Sequence, residues 1–161
     1  MNIRRSAFAC VSIVFALCFS LAASNARADT RVWTGASSVD WGTAGNWDTG
    51  VPLAGDDVIL TNAGNNALLS SSTPGLNSVI IRGKTLIFTN WNTILNATTV
   101  TIQTGGVFTA AGPFATNQMS NLVFVSCTTM TIDPGGSIDV DGKGFKPEYG
   151  PGVGIDRKSV V

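Results

Sequence analysis

The densest acidic chemistry in this 161-residue chain lies near its end, at Asp133, Asp139 and Asp141. Asp139 and Asp141 are two positions apart, so on a strand both carboxylates point to one face. Asp133 stands across a Pro134-Gly135-Gly136 turn. Oxygen donors gathered in this way suit a hard cation, so calcium is the one cofactor candidate and no other is expected. Asp139-Val140-Asp141-Gly142 has part of a calcium-loop pattern and lacks the distal Glu. Paired carboxylates are also the apparatus of glycoside hydrolysis, where their separation across a groove matters. Lys143 would then be a cationic neighbour, as in cleavage of acidic sugars. The plainer reading is a solvated outer face with an Asp-Gly turn. We therefore expect no catalytic residue and no enzyme in this segment, whatever a longer parent protein does.

Aromatic chemistry is concentrated elsewhere. Trp33, Trp41 and Trp47 fall close together, interleaved with Asp40, Asn46 and Asp48. Exposed indoles stack on sugar rings, and flanking Asp or Asn can bind hydroxyls. Extracellular glycans or surface polymers would then be partners. The alternative is a lid, because an open repeat end exposes an apolar cross-section that large rings can cover. The three Trp immediately precede the first repeat, which favours the lid.

Several chemistries are excluded by composition. The chain has no His, which removes His-based triads and His-ligated metal sites. Charged residues make up only 12%, so no basic stripe for nucleic acid is expected. Gly142-Lys143-Gly144 neither follows a strand nor opens a helix, so it is not a phosphate loop. Asn96-Ala97-Thr98 matches a glycosylation sequon and is expected to stay unmodified.

The elements that would position these groups begin with a leader. Arg4 and Arg5 precede an apolar run from Ala7 to Ala23, and Ala26-Arg27-Ala28 offers a small-x-small cleavage pattern. Residues 1–28 are expected to be a signal peptide. The mature chain would have no membrane span and would be extracellular or at the cell surface, with the periplasm as a further location. Cleavage removes Arg4, Arg5 and Arg27, leaving acidic residues in excess. It also removes Cys10 and Cys18. Cys127 then has no partner for an internal disulfide and is expected to be a buried, inert thiol.

From Asp29 onward, helical periodicity is absent. Short runs of Val, Ile, Thr and Phe alternate with Gly, Asn, Ser and Pro, the composition of strands and turns. The runs repeat. Val58, Val79, Val100 and Met130 open them, at spacings of 21, 21 and 30 residues. The last three are followed by a Gly-containing turn and a second strand, starting at Thr85, Val107 and Ser137. Alternation places Val100, Ile102, Met130, Ile132, Ile138 and Val140 inward. Ile59, Ile80 and Ile87 make the earlier runs more uniformly apolar, as in strands covered on both sides. The long third interval implies an insertion near Gly112 to Ser120.

A repeated strand–turn–strand unit of this length predicts an all-β solenoid, a right-handed parallel β-helix. The alternative is an antiparallel β-sandwich or jelly roll. The expected organisation is a Trp-rich N-terminal cap at 29–57, rungs over 58–142 and a Gly/Pro-rich segment at 143–155. Residues 156–161 have no pattern relation to what precedes them and match one reading frame of a common sequencing adapter. They are expected to be a non-native tail.

The order Val32-Trp33-x-Gly35, Trp41, Asn46-Trp47, Val51-Pro52 and Asp56-Asp57-Val58 resembles the opening of exported bacterial autotransporter-like or adhesin-like repeat proteins. The Gly-rich stretches Gly136 to Phe145 and Gly150 to Gly154 resemble rung endings in the same proteins. The resemblance implies a right-handed parallel β-helix and export, and this chain would be an N-terminal fragment. It implies a secreted or cell-surface structural or adhesive role. The alternative is the N-terminal part of a polysaccharide-active lyase or hydrolase.

Overall fold

The computed structural model describes residues 28–151 apart from Asn117. The expected leader up to Arg27, with Cys10 and Cys18, and the expected tail at 156–161 lie outside the described residues.

The protein is all-β. Its strands are β1 (Thr30–Trp33), β2 (Asp57–Leu60), β3 (Ala67–Leu69), β4 (Leu76–Ile81), β5 (Thr85–Phe88), β6 (Leu95–Ile102), β7 (Val107–Ala110), β8 (Val125–Ile132) and β9 (Ser137–Ile138). The single helical element among the described residues is a 3-10 turn, Ala44–Asn46. Two sheets form, one in the order β1-β2-β4-β6-β8 and the other in the order β3-β5-β7-β9. Every pairing between these strands is parallel. From β2 onward the chain alternates between the sheets, adding one strand to each in turn.

Register explains the sequence spacing. Val58 pairs with Val79, Val79 with Val100, and Val100 with Met130. The four residues that open the runs therefore stand in one column. Val58, Val79 and Val100 are buried, as are Leu60, Ile81 and Ile102 in the next inward column. In the second sheet Leu69 pairs with Phe88 and Phe88 with Ala110, all buried. Phe88 and Phe108 meet edge-to-face with centroids 5.6 Å apart. Each such burial contributes about 1.5–3 kcal/mol relative to exposure, so the interior between the sheets dominates stability.

The turns stack as well. Gly83 N–H donates to Thr104 O (3.1 Å), and Gly105 N–H to Gly135 O (2.7 Å). Gly105 has φ +71°, and a Cβ there would lie 3.2 Å from the Gly83 Cα. Its conformation and its neighbour both require glycine.

Several expectations need correction. The ladder starts before Val58, because β1 pairs with β2 and lies within the segment assigned to the cap. β3, at Ala67–Leu69, has no β-branched residue and was not expected. Ile59, Ile80 and Ile87 are half-buried, so these strands are covered on one face only. Ile132, Ile138 and Val140 are 47%, 43% and 50% exposed. Ile132 and Ile138 occupy inward columns, opposite Ile102 and Phe108, but β8 and β9 are the last strands of their sheets. No described strand closes over them. Cys127, on β8 opposite Ala97 of β6, is half-buried for the same reason.

Candidate functional site

Trp33, Trp41 and Trp47 are 0%, 5% and 4% exposed. Trp33 sits in β1 opposite Leu60, its ring turned into the interior. Trp47 meets Trp33 and Trp41 edge-on, with centroids 5.1 and 4.8 Å apart. Trp33 and Trp41 stack at 6.5 Å. The indole N–H groups are satisfied internally, Trp33 Nε1 to Asn65 O and Trp47 Nε1 to Trp41 O, both 2.8 Å. The glycan-stacking reading of these residues is therefore corrected: their faces pack on one another and present nothing to a sugar ring.

The loop carrying the cluster is held by Asn46, which is fully buried. Its Oδ1 accepts from the N–H groups of Ser37 (2.9 Å) and Ser38 (2.7 Å). Its Nδ2 donates to Asp40 O (2.7 Å) and Ser38 Oγ (2.9 Å). A buried amide with all four bonds made fixes one loop geometry. Gly35, at φ +56°, lets this loop press against Asn65, whose backbone N would lie 2.6 Å from a Cβ.

Beside the cluster lies an ion pair. Arg31 pairs in register with Val58, an inward position. Its Nε donates to Asp56 Oδ2 at 2.8 Å, and its guanidinium also reaches Asp29 (3.3 Å) and Thr49 O (2.6 Å). Asp56 is almost fully buried and accepts further bonds from the Asp29 and Leu53 N–H groups. Burial alone would raise its pKa. The Leu53 and Asp29 N–H groups, the Arg31 hydrogen bond and the Arg31 charge outweigh burial and hold the carboxyl below its ordinary value.

Lys84 is a second buried charge. Its Nζ donates to Gly64 O at 2.7 Å, and burial pushes its pKa down.

The acidic trio does not assemble. β9 ends at Ile138, so Asp139 and Asp141 leave the strand and do not share a strand face. Asp139 Oδ1 accepts the Asp141 N–H at 2.9 Å, closing a local turn. Among the described residues, no group of three or more Cys, Asp or Glu is placed to hold a metal ion. Among the described residues, Asp133, Asp139 and Asp141 thus do not form the convergent oxygen cluster that the calcium reading requires.

The fourth tryptophan escaped the sequence reading. Trp91 lies in the β5–β6 turn and is 50% exposed, unlike the other three. Its signal is the Thr89-Asn90-Trp91-Asn92 run, an indole set among turn residues.

These features define an all-β protein: parallel strands around an apolar interior, with a buried Trp cluster at the β1 end. The chain belongs to the G8 domain family, whose model matches residues 41–126, more than half of the sequence. No curated protein and no solved structure gives a significant match. The family match begins at Trp41 and ends within β8. β1, with Arg31 and Trp33, precedes it yet pairs into the same sheet. No helix among the described residues is long and apolar enough to cross a membrane.

Proposed function

We propose that this chain forms the first coils of a right-handed parallel β-helix in an exported, non-enzymatic structural or adhesive protein. The Trp cluster and the Arg31–Asp56 pair cap one end of the stack. Further coils extend it from β8 and β9. The observation that carries the reading is the column Val58, Val79, Val100 and Met130, continued by strands that alternate between two parallel sheets. Such a stack is mechanically uniform, since each coil contacts its neighbours through the same backbone ladder. The outward Thr, Asn and Asp side chains offer weak, repeated polar contacts. The β1 end is closed over and the β8–β9 end carries exposed apolar side chains, which suits a rod growing in one direction. A bacterial export route and a Ca²⁺-independent fold belong to the same proposal.

The test is incubation of the purified chain with neutral and acidic polysaccharides, read as new reducing ends or unsaturated products. No release above a heat-treated control is expected. Steady release that scales with protein concentration would overturn the non-enzymatic reading.

A further inference from the structure

We propose that the groove beside Trp91 binds uncharged oligosaccharides, with the Trp91 indole as the stacking platform. The groove has a volume of about 1050 Å³ and is lined by Asn90, Trp91, Gln118, Met119, Ser120 and Phe145, among others. One wall is the β5–β6 turn. The opposite side comes from the insertion between β7 and β8 and from the segment around Phe145. Thr116, Gln118, Met119 and Ser120, from the interval that is 30 residues long against 21 elsewhere, therefore build part of the groove.

The turn is held before any ligand arrives. Asn90 adopts φ +68°, which swings the chain outward at Trp91. Its N–H donates to Asn121 Oδ1 and its Nδ2 to Ser70 O, both at 2.7 Å. Asn121 also accepts from Thr89 Oγ1 (3.0 Å) and donates to Ala111 O (3.0 Å). One amide thus ties the Trp91 turn to the start of the insertion. On the far side, Phe114 and Phe145 pack edge-to-face at 5.8 Å, and Phe114 N–H donates to Gly144 O at 2.9 Å. An exposed indole on a braced turn loses little freedom on binding.

The lining selects the ligand. An exposed indole offers a broad apolar face to the C–H face of a pyranose ring, and polar groups at its edge serve the hydroxyls. The Gln118 and Ser120 side chains supply such polar groups in the same groove. None of the described lining residues is ionisable. A polyanion would give up its hydration there without meeting a cation in exchange, so the match is to a neutral sugar.

The inference deepens the adhesive part of the proposed function and rests on it for access to extracellular glycans. The test is affinity electrophoresis and tryptophan fluorescence on the full chain, with cellohexaose, xylohexaose, mannohexaose and maltohexaose as neutral probes and polygalacturonate as the anionic one. At least one neutral probe should retard the protein and perturb the emission. Trp91→Ala should weaken that binding about tenfold or more, and Trp91→Phe less. Both variants should melt like the parent, because Trp91 is not in the core. Asn121→Ala should weaken binding with Trp91 still present. No retardation by any neutral probe, a preference for polygalacturonate, or equal binding by Trp91→Ala would each overturn the site. Trp91-dependent self-association in sedimentation, with no sugar effect, would assign the groove to a second copy of the chain and equally overturn it. None of these failures alters the strand register, so the coil reading stands or falls separately.

Discussion

Arg31 and Asp56 meet at 2.8 Å where the first strand of the sheet would otherwise send an apolar side chain inward. Arg31 aligns with Val58, Val79, Val100 and Met130, so a cation begins a column that valine continues. Its partner anchors the two N–H groups of Asp29 and Leu53. The pair gives the β1 end a polar, satisfied finish.

Removing one member leaves a charge with too few partners. Arg31→Met should destabilise the fold by about 3 kcal/mol, the usual cost of stranding a buried ion. Asp56 has a folded pKa below the ordinary carboxylate value. Its stabilisation is therefore fully present above that value and is lost as pH falls through the lower, folded one. Urea melts at stepped pH should show an acid limb that flattens in Asp56→Asn. An unchanged limb would place the acid sensitivity elsewhere.

The Trp cluster makes a second prediction. Trp47 touches both other rings and bonds Trp41 O, so Trp47→Ala should cost about 3–5 kcal/mol. That is a large part of the total for a domain of this size. Thermal melting by circular dichroism should show a steep drop. A variant within about 1 kcal/mol of the parent would mean that the cluster does not close the interior.

Neighbouring residues on β4 should respond in opposite ways. Val79 is fully buried, whereas Ile80 is half-buried on the outer face. Val79→Asp places a carboxylate in the apolar column and should abolish cooperative unfolding. Ile80→Thr should change stability by less than about 1 kcal/mol. The reverse ranking, with Val79→Asp tolerated and Ile80→Thr destabilising, would show that β4 is slipped by one residue, since a slip exchanges the faces.

The β8–β9 end should be adhesive towards itself. Ile132 and Ile138 are half-exposed next to unpaired backbone edges, a combination that favours association. Sedimentation should show concentration-dependent self-association, suppressed in the double variant Ile132→Lys and Ile138→Lys. A parent that stays monomeric at high concentration would remove this end as an association surface.

Much of this architecture was legible in the residues. Inward positions of successive paired strands must be apolar, so the spacing of Val58, Val79, Val100 and Met130 marks one column of the sheet. What stayed hidden has physical reasons. β1 replaces the inward apolar residue with Arg31, which breaks the pattern that identifies a strand. β3 is three residues of Ala and Leu, a composition without β preference. Tryptophan among Gly, Asn and Asp reads the same whether its faces are exposed or buried, so Trp33, Trp41 and Trp47 drew attention that Trp91 merited. Asp139 and Asp141 misled because alternation was extended beyond Ile138, where the strand stops.

The strand register underlies both the proposed coil stack and the proposed groove, and one disulfide comparison tests it most directly. Ile80 and Thr101 face each other on β4 and β6, on the outer surface. Directly paired Cα atoms of adjacent strands lie about 4.8 Å apart, within disulfide reach. Ile80 and Gln103, two residues further on, are separated by about 8 Å on the same geometry, beyond that reach. With Cys127 changed to Ala, mild oxidation of the Ile80→Cys, Thr101→Cys variant should give a near-complete intramolecular disulfide by mass spectrometry. The Ile80→Cys, Gln103→Cys variant should remain reduced. Preferential bridging of the second pair, or equal bridging of both, would contradict the stacked parallel register.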